Sequence, residues 1–242
     1  MSGSTPSSPA ELLQHGTINV NGLVPWGSNY VFLAEVCAGP ERILAIYKPR
    51  RGERPLWDFA SGTLCQRERA AYVLSEALGW DLVPPTVLRE GPQGVGSVQL
   101  FVDHDPDQHY FTFEGQYGDQ IQRIQLFDVL ANNADRKGGH ILLNDAGRLW
   151  AIDHGVCFHE QYKLRTVVWE FAGTPIPAHL RADLHGLLER FDSPNGDASS
   201  WGFDELLSRS EVGALRRRAE RLLKTGIYPE PGPGRPYPWP LV

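Results

Sequence analysis

Two aspartates, Asp135 in Ala134-Asp135-Arg136-Lys137-Gly138-Gly139-His140 and Asp153 in Ile152-Asp153-His154-Gly155, carry the chemistry this chain suggests. Asp135 lies in a glycine-containing loop ahead of the apolar run Ile141-Leu142-Leu143. Asp153 ends a returning strand, Trp150-Ala151-Ile152, just before a glycine that permits a sharp turn. A short β-hairpin therefore separates them, with one carboxylate on either side. Phosphoryl transfer calls for such a pair. One carboxylate orients or deprotonates the attacking hydroxyl, and the other holds the divalent cation that neutralises the β- and γ-phosphates. Aspartate also favours turns for purely local reasons, so the pair alone does not decide.

The elements that must position this pair lie upstream. Ile43-Leu44-Ala45-Ile46-Tyr47 reads as a buried strand closed by Lys48-Pro49. The chain has four lysines against nineteen arginines, and a lysine at this point offers a compact charge suited to phosphate oxygens. The plainer alternative is a lysine snorkelling into water. From 64 to 78 the apolar spacing is helical, with Ala70, Ala71, Leu74, Ala77 and Leu78 on one stripe and Gly79 as a stop. Glu68 flanks that stripe and is the candidate partner of Lys48, with Glu76 as the alternative. Ahead of the lysine strand, Gly27, Ser28 and Asn29 form a turn that could donate to phosphate, although Gly-Ser-Asn is also an ordinary hairpin turn.

Taken in order, these are a turn loop, lysine strand, glutamate helix, two strands, a helix, an Asp loop, a hairpin and Asp-His-Gly. This order resembles the protein-kinase-like superfamily, and within it the phosphoinositide 3-/4-kinase branch with its type II phosphatidylinositol 4-kinase and HipA-type relatives. The catalytic loop of that branch begins Asp-Arg, as Asp135-Arg136 does here. Tyr47-Lys48-Pro49-Arg50-Arg51-Gly52-Glu53-Arg54-Pro55-Leu56-Trp57-Asp58-Phe59 and Leu74-Ser75-Glu76-Ala77-Leu78-Gly79-Trp80 are similar to an actinobacterial group of phosphoinositide-kinase-like proteins. The likeness runs from about residue 15 to about residue 225.

The resemblance implies an α+β, two-lobed, protein-kinase-like fold. A small nucleotide-binding lobe with an antiparallel sheet is expected over 15–102 and a mostly helical catalytic lobe over 103–225. These are flanked by a disordered segment, 1–14, and a Pro-rich tail, 226–242, extended or loosely docked. The resemblance further implies ATP with Mg²⁺ or Mn²⁺, Lys48 on the phosphates, Glu68 paired with it, Asp135 as catalytic aspartate and Asp153 as metal ligand. Gln99, Leu100, Phe101 and Val102, in a last strand Val98–Asp103, would pass the nucleotide base to the hinge. His154 stands where the wider superfamily has phenylalanine. His140 replaces a metal-binding asparagine, and as a neutral imidazole ligand it would move the site toward Mn²⁺. Phosphotransfer would then fall as pH drops through the imidazole range near 6.5, unless the metal lowers that range. The alternative is a nucleotide-binding pseudokinase acting as a regulatory or interaction module.

Composition narrows the partners. At 242 residues the chain can bury one substantial core or two small lobes. Its net charge of −6 argues against nucleic acid, and no run is long enough to span a membrane. Residues 1–10 are rich in Ser and Pro and lack the apolar core of a signal peptide, so a cytoplasmic location is expected. Cys37, Cys65 and Cys157 show no Cys-x-x-Cys spacing and read as buried thiols. Asp103, Asp105, Asp107 and Glu114 have EF-hand spacing, but Gln108 occupies the position that needs glycine.

Further helices are expected over 163–172, 177–192 and 209–225, and a helix before Asp135 carries Ile121, Ile124, Phe127 and Leu130 on one face. The basic stretch Leu215–Lys224 reads as a solvated face interrupted by Glu220, so peripheral membrane contact is unsupported. The phosphate acceptor, whether lipid, protein or small molecule, is not specified.

Overall fold

Strands β1 (Thr17–Leu23), β2 (Phe32–Ala38), β3 (Glu41–Pro49), β4 (Thr86–Gly91) and β5 (Gly94–Leu100) form one antiparallel sheet in the order β1-β2-β3-β5-β4. The computed structural model describes residues 8–23, 29–113, 115–192 and 201–242; Gly27, Ser28 and Glu114 lie outside them. Because side chains alternate along a strand, β3 serves two surfaces at once. Ala45 and Tyr47 are fully buried in a cluster with Val36, Val98 and Leu13. Ile46 and Lys48 point the other way and line a cleft. The apolar run is therefore not a strand buried on both faces, and Leu44 is 43% exposed.

The N-terminal residues correct an expectation. Within the segment read as disordered, Pro9–His15 is a helix, α1, packed on the sheet with Leu12 and Leu13 buried. Ser8 and Glu11 close a reciprocal capping box, and Pro9 stands at the first helical turn. A short helix is stable here because it covers apolar sheet surface, not by propensity.

Helix α2 (Leu64–Leu78) has the bounds read from its pattern and ends at Gly79, whose φ of 67° lets the chain reverse. It is part of the larger core, which continues through α3 (Gly118–Ala131), α4 (Ala178–Asp192) and α6 (Arg209–Thr225). Strands β6 (Ile141–Leu143) and β7 (Leu149–Ala151) make the expected hairpin, and a four-residue helix, α5 (Phe203–Leu206), precedes α6. On α6, Leu215 and Leu222 are buried, Arg218 donates to the Leu130 carbonyl, and Arg216 pairs with Asp192 and Glu220. Two of its arginines are thus engaged within the protein, while Arg217, Arg221 and Lys224 stay on the expected solvated face. Among the described residues, no helix is long and apolar enough to cross a membrane.

Two further expectations change. Residues 163–172 are not helical, although Leu164, Val167 and Val168 are buried at a helical spacing. Their backbone groups pair elsewhere: Arg165 N–H with the Asn133 carbonyl, Val167 N–H with that of Arg136, and Thr166 N–H with that of Pro236. Tertiary pairing has replaced the i→i−4 ladder. The tail is irregular, as its prolines require, yet it is closely docked. Tyr228 is fully buried, and Gly138 N–H donates to the Leu241 carbonyl at 2.7 Å.

The buried α1 stripe generates a test. Leu13→Ala should cost about 2–5 kcal/mol of unfolding free energy in urea titration, the usual range for truncating a fully buried leucine. A loss below about 0.5 kcal/mol would mean that α1 is not packed on the sheet.

Candidate functional site

Lys48 is the penultimate residue of β3, opposite Ser97 of β5. Its Nζ lies 2.5 Å from Glu68 Oε1 and 2.9 Å from Asp153 Oδ1, joining positions 20 and 105 residues away. Burial alone would depress the ammonium, but the Asp153 and Glu68 carboxylates overcome it and hold the lysine charged well above its ordinary range. Glu68 extends from the inner face of α2, and its second oxygen accepts the His154 N–H at 3.0 Å. One glutamate therefore fixes both the lysine and the backbone beside Asp153. The partner is Glu68 and not Glu76, which is exposed.

Asp153 itself has φ 60°, a left-handed conformation uncommon outside glycine. The expected turn is present at Gly155–Val156, but the left-handed residue is the aspartate and not the glycine. Nearness of Lys48 holds its carboxyl well below the usual range against the opposing effect of burial, with His140 adding to the depression. His140 Nε2 lies 3.3 Å from Asp153 Oδ2, and His140 Nδ1 accepts the Lys137 N–H at 3.4 Å. That second bond leaves the ring proton on Nε2, pointed at Asp153.

Asp135 lines the same cleft, of about 580 Å³, together with Lys48, Glu68, His140 and Asp153. Its N–H is tied to Asn133 Oδ1 at 3.0 Å and its carboxylate lies 3.5 Å from Lys137 Nζ. Burial pushes the Asp135 carboxyl up; Lys137 opposes this and Asp153 adds to it. The two aspartates thus differ: one is held firmly ionised, the other is made more basic. Such separation is what distinct charge-holding and proton-accepting tasks require.

The apolar walls come from Ile46, Leu142, Ile152 and Val156, with Leu100, Phe101 and Val102 at the end of β5. The strand stops at Leu100, two residues short of where Val98–Asp103 would place Val102 in it. One residue past it the Phe101 N–H still donates to the Leu44 carbonyl at 3.0 Å, in register with the β3–β5 pairing. Gln99 borders the cleft, but its amide donates to Thr86 Oγ1 at 2.8 Å. Asn29 also borders it, with its side-chain oxygen taken by the Arg54 N–H at 2.7 Å.

Beneath the two aspartates lies a network that the sequence reading missed. Arg136, fully buried, directs Nε to both oxygens of Asp128 at 3.0 and 3.1 Å, Nη1 to the Ile152 carbonyl at 2.7 Å and Nη2 to His154 Nε2 at 2.6 Å. Asn133 and Thr166 complete the Asp128 carboxylate at 3.1 and 2.9 Å. The residue next to Asp135 therefore grips the residues on both sides of Asp153. A charged side chain at Asp128, within the inward-facing part of α3, was the available signal.

The site thus lies in a cleft between an antiparallel sheet and a helical region, closed by the Lys48 pairs. Residues 85–198 match the family described as phosphatidylinositol 3- and 4-kinase. Protein Rv2133c of Mycobacterium tuberculosis is 39% identical over 264 residues, which cover 95% of this chain and 94% of that protein. The chain belongs to the phosphatidylinositol 3- and 4-kinase family. Another family relative, phosphatidylinositol 4-kinase gamma 4 of Arabidopsis thaliana, is 32% identical over 193 residues, covering 66% of this chain but only 33% of the plant protein. The crystal structure of the Helicobacter pylori proinflammatory kinase CtkA aligns with a TM-score of 0.50 over 88% of this chain and 93% of that one. At 13% identity that match speaks to the kinase-like fold alone.

The setting of His140 corrects the expected pH range. Burial, first of all, lowers its imidazole to about 4, with Asp153 partly countering and Arg136 and Lys137 adding to the depression. At pH 5.5 the folded ring should be neutral, whereas the unfolded one, near its ordinary value of about 6.5, is largely protonated. Its contribution to stability is therefore complete above pH 6.5, declines as pH falls from there to about 4, and is flat below. Imidazole nitrogen shifts recorded at pH 5.5 without nucleotide or metal should report a neutral Nε2–H ring. A protonated ring would contradict this setting.

Proposed function

We propose that this protein binds ATP in the Lys48 cleft and transfers its γ-phosphoryl group to a hydroxyl-bearing acceptor. The observation that carries the reading is the Lys48 ammonium, held at 2.5 and 2.9 Å by Glu68 and Asp153 on the wall of a cleft that Asp135 also lines. Two carboxylates keep that ammonium charged and aimed, which suits it to phosphate oxygens. Asp135, with its raised basicity, takes the proton of the acceptor hydroxyl as its oxygen attacks phosphorus and the bond to the β-phosphate breaks. ADP leaves with the electron pair of that bond. The apolar walls Ile46, Leu142 and Ile152 suit a flat heteroaromatic base.

A divalent cation fits the donor set. Mg²⁺ is commonly held by one or two carboxylates together with substrate phosphates, and Asp153 and Asp135 are carboxylates lining one cleft. When bound, the cation would supply charge neutralisation at the phosphates. His140 fits less well as a ligand, because ligation through Nε2 would move the ring proton to Nδ1, where the Lys137 N–H already donates. We assign His140 instead to steadying Asp153 through the Nε2–H. The pseudokinase reading draws on the same contact, since a histidine standing for the family's asparagine removes one oxygen ligand. The acceptor stays unassigned on this reading.

ATP with Mg²⁺ or Mn²⁺ should raise the thermal midpoint of the folded protein, because a ligand selective for the native state stabilises it by mass action. Lys48→Ala should reduce that shift sharply while leaving the protein folded. No shift in the wild type at millimolar nucleotide with either metal would remove both the kinase and the nucleotide-binding pseudokinase readings.

A further inference from the structure

Helix α2 starts without a cap of its own. Thr63, at the N-cap position, has αR backbone angles and makes no side-chain capping bond; its hydroxyl goes to the Ala60 carbonyl at 2.7 Å. The first free N–H groups of the helix are satisfied from eleven and twelve residues away. Glu53 accepts the Leu64 N–H at 3.1 Å and the Cys65 N–H at 2.8 Å, one on each carboxylate oxygen. A carboxylate at this end also suits the helix dipole. Glu53 borders the cleft, five positions beyond Lys48.

The residues on either side of Glu53 hold a different wall. The Gly52 carbonyl accepts the Tyr30 N–H at 3.1 Å, and the Arg54 N–H donates to Asn29 Oδ1 at 2.7 Å. The approach is close: a Cβ on Gly52 would stand 2.7 Å from Tyr30 Cβ. Segment 52–54 therefore faces two ways. Its backbone fastens the Asn29–Tyr30 edge of the cleft, and its one carboxylate fastens the end of α2 from which Glu68 extends, just over one turn later.

We propose that Glu53 is a positioning residue of the nucleotide site, coupling the Asn29–Tyr30 edge to α2 so that the two close on Lys48 together. The inference rests on the cleft being a nucleotide site. Glu53 touches no reacting atom. It sets the fraction of molecules in which Glu68 and the Asn29 edge are both in register, and a competent fraction of one in ten weakens apparent affinity about tenfold.

The test compares wild type with Glu53→Gln and Glu53→Ala, with Ser8→Ala as a control that removes a helix cap on α1, outside the site. Amide exchange at Tyr30 and at Leu64–Cys65 is measured alongside ATP·Mg²⁺ affinity. Exchange should rise at both places in Glu53→Ala, with Glu53→Gln between, and ATP affinity should fall roughly tenfold. The control should lose thermal stability without either effect. Faster exchange at Leu64–Cys65 with Tyr30 unchanged would overturn the proposal, leaving Glu53 a local helix cap. Affinity equal to wild type in a folded Glu53→Ala would overturn it as well. If wild type itself bound no ATP, the function reading would fail, while the exchange measurements would still decide the coupling. If Glu53→Ala did not fold, Glu53→Gln would decide by the same criteria.

Discussion

A lysine ammonium shared between two carboxylates is the constraint around which this molecule is arranged. Lys48 brings β3 against α2 through Glu68 and against the end of the β6–β7 hairpin through Asp153. Ion pairs at a protein surface contribute little, but here Glu68 is buried and Lys48 largely so, with Asp153 half-exposed toward the cleft, and the His154 N–H ties Glu68 further. Removing any one of the three would leave the others charged and incompletely paired. The sheet and the helical region are thereby held in one relation by charges that can also meet a polyphosphate.

The lower half of the site is built on a second buried charge. Arg136 and Asp128 lie wholly inside the protein, where an ion pair survives only if its remaining hydrogen-bonding capacity is met. Asn133, Thr166, the Ile152 carbonyl and His154 meet much of it. This network fixes Asp135 and Asp153 relative to each other without using either carboxylate. The carboxylates are engaged on the cleft side instead, Asp153 by Lys48 and His140 and Asp135 by Lys137, and the left-handed backbone of Asp153 is held by contacts on each side.

Much of this was legible in the sequence because local chemistry and tertiary outcome agree. Helix α2 combines an apolar stripe with a stop glycine, and the hairpin between Asp135 and Asp153 has its turn and apolar flanks. The Ser8-Pro9-Ala10-Glu11 pattern also carried a helix start, one that reading the first 14 residues as disordered passed over. Other features depend on partners far along the chain. Residues 163–172 have helical spacing, but their peptide groups pair with the Asp135 loop and the tail. The cap of α2 by Glu53 has no sequence signal, since nothing local marks a carboxylate that reaches a distant helix end. Within the site, the Lys48–Glu68 pair was foreseen from residue types, whereas the Lys48–Asp153 and Arg136–Asp128 pairs join distant segments, and the proton position on His140 emerged only from the Lys137 N–H bond.

The central claim is that the Lys48 cleft performs phosphoryl transfer. ADP formation from ATP, measured for wild type and Asp153→Ala with Mg²⁺ and with Mn²⁺ across lipid, protein and small-molecule acceptors, tests it most directly. The account predicts acceptor-dependent turnover in wild type and its loss, by at least a hundredfold or so, when the charge-holding carboxylate is removed. Equal, low turnover in both proteins with every acceptor and either metal would contradict it.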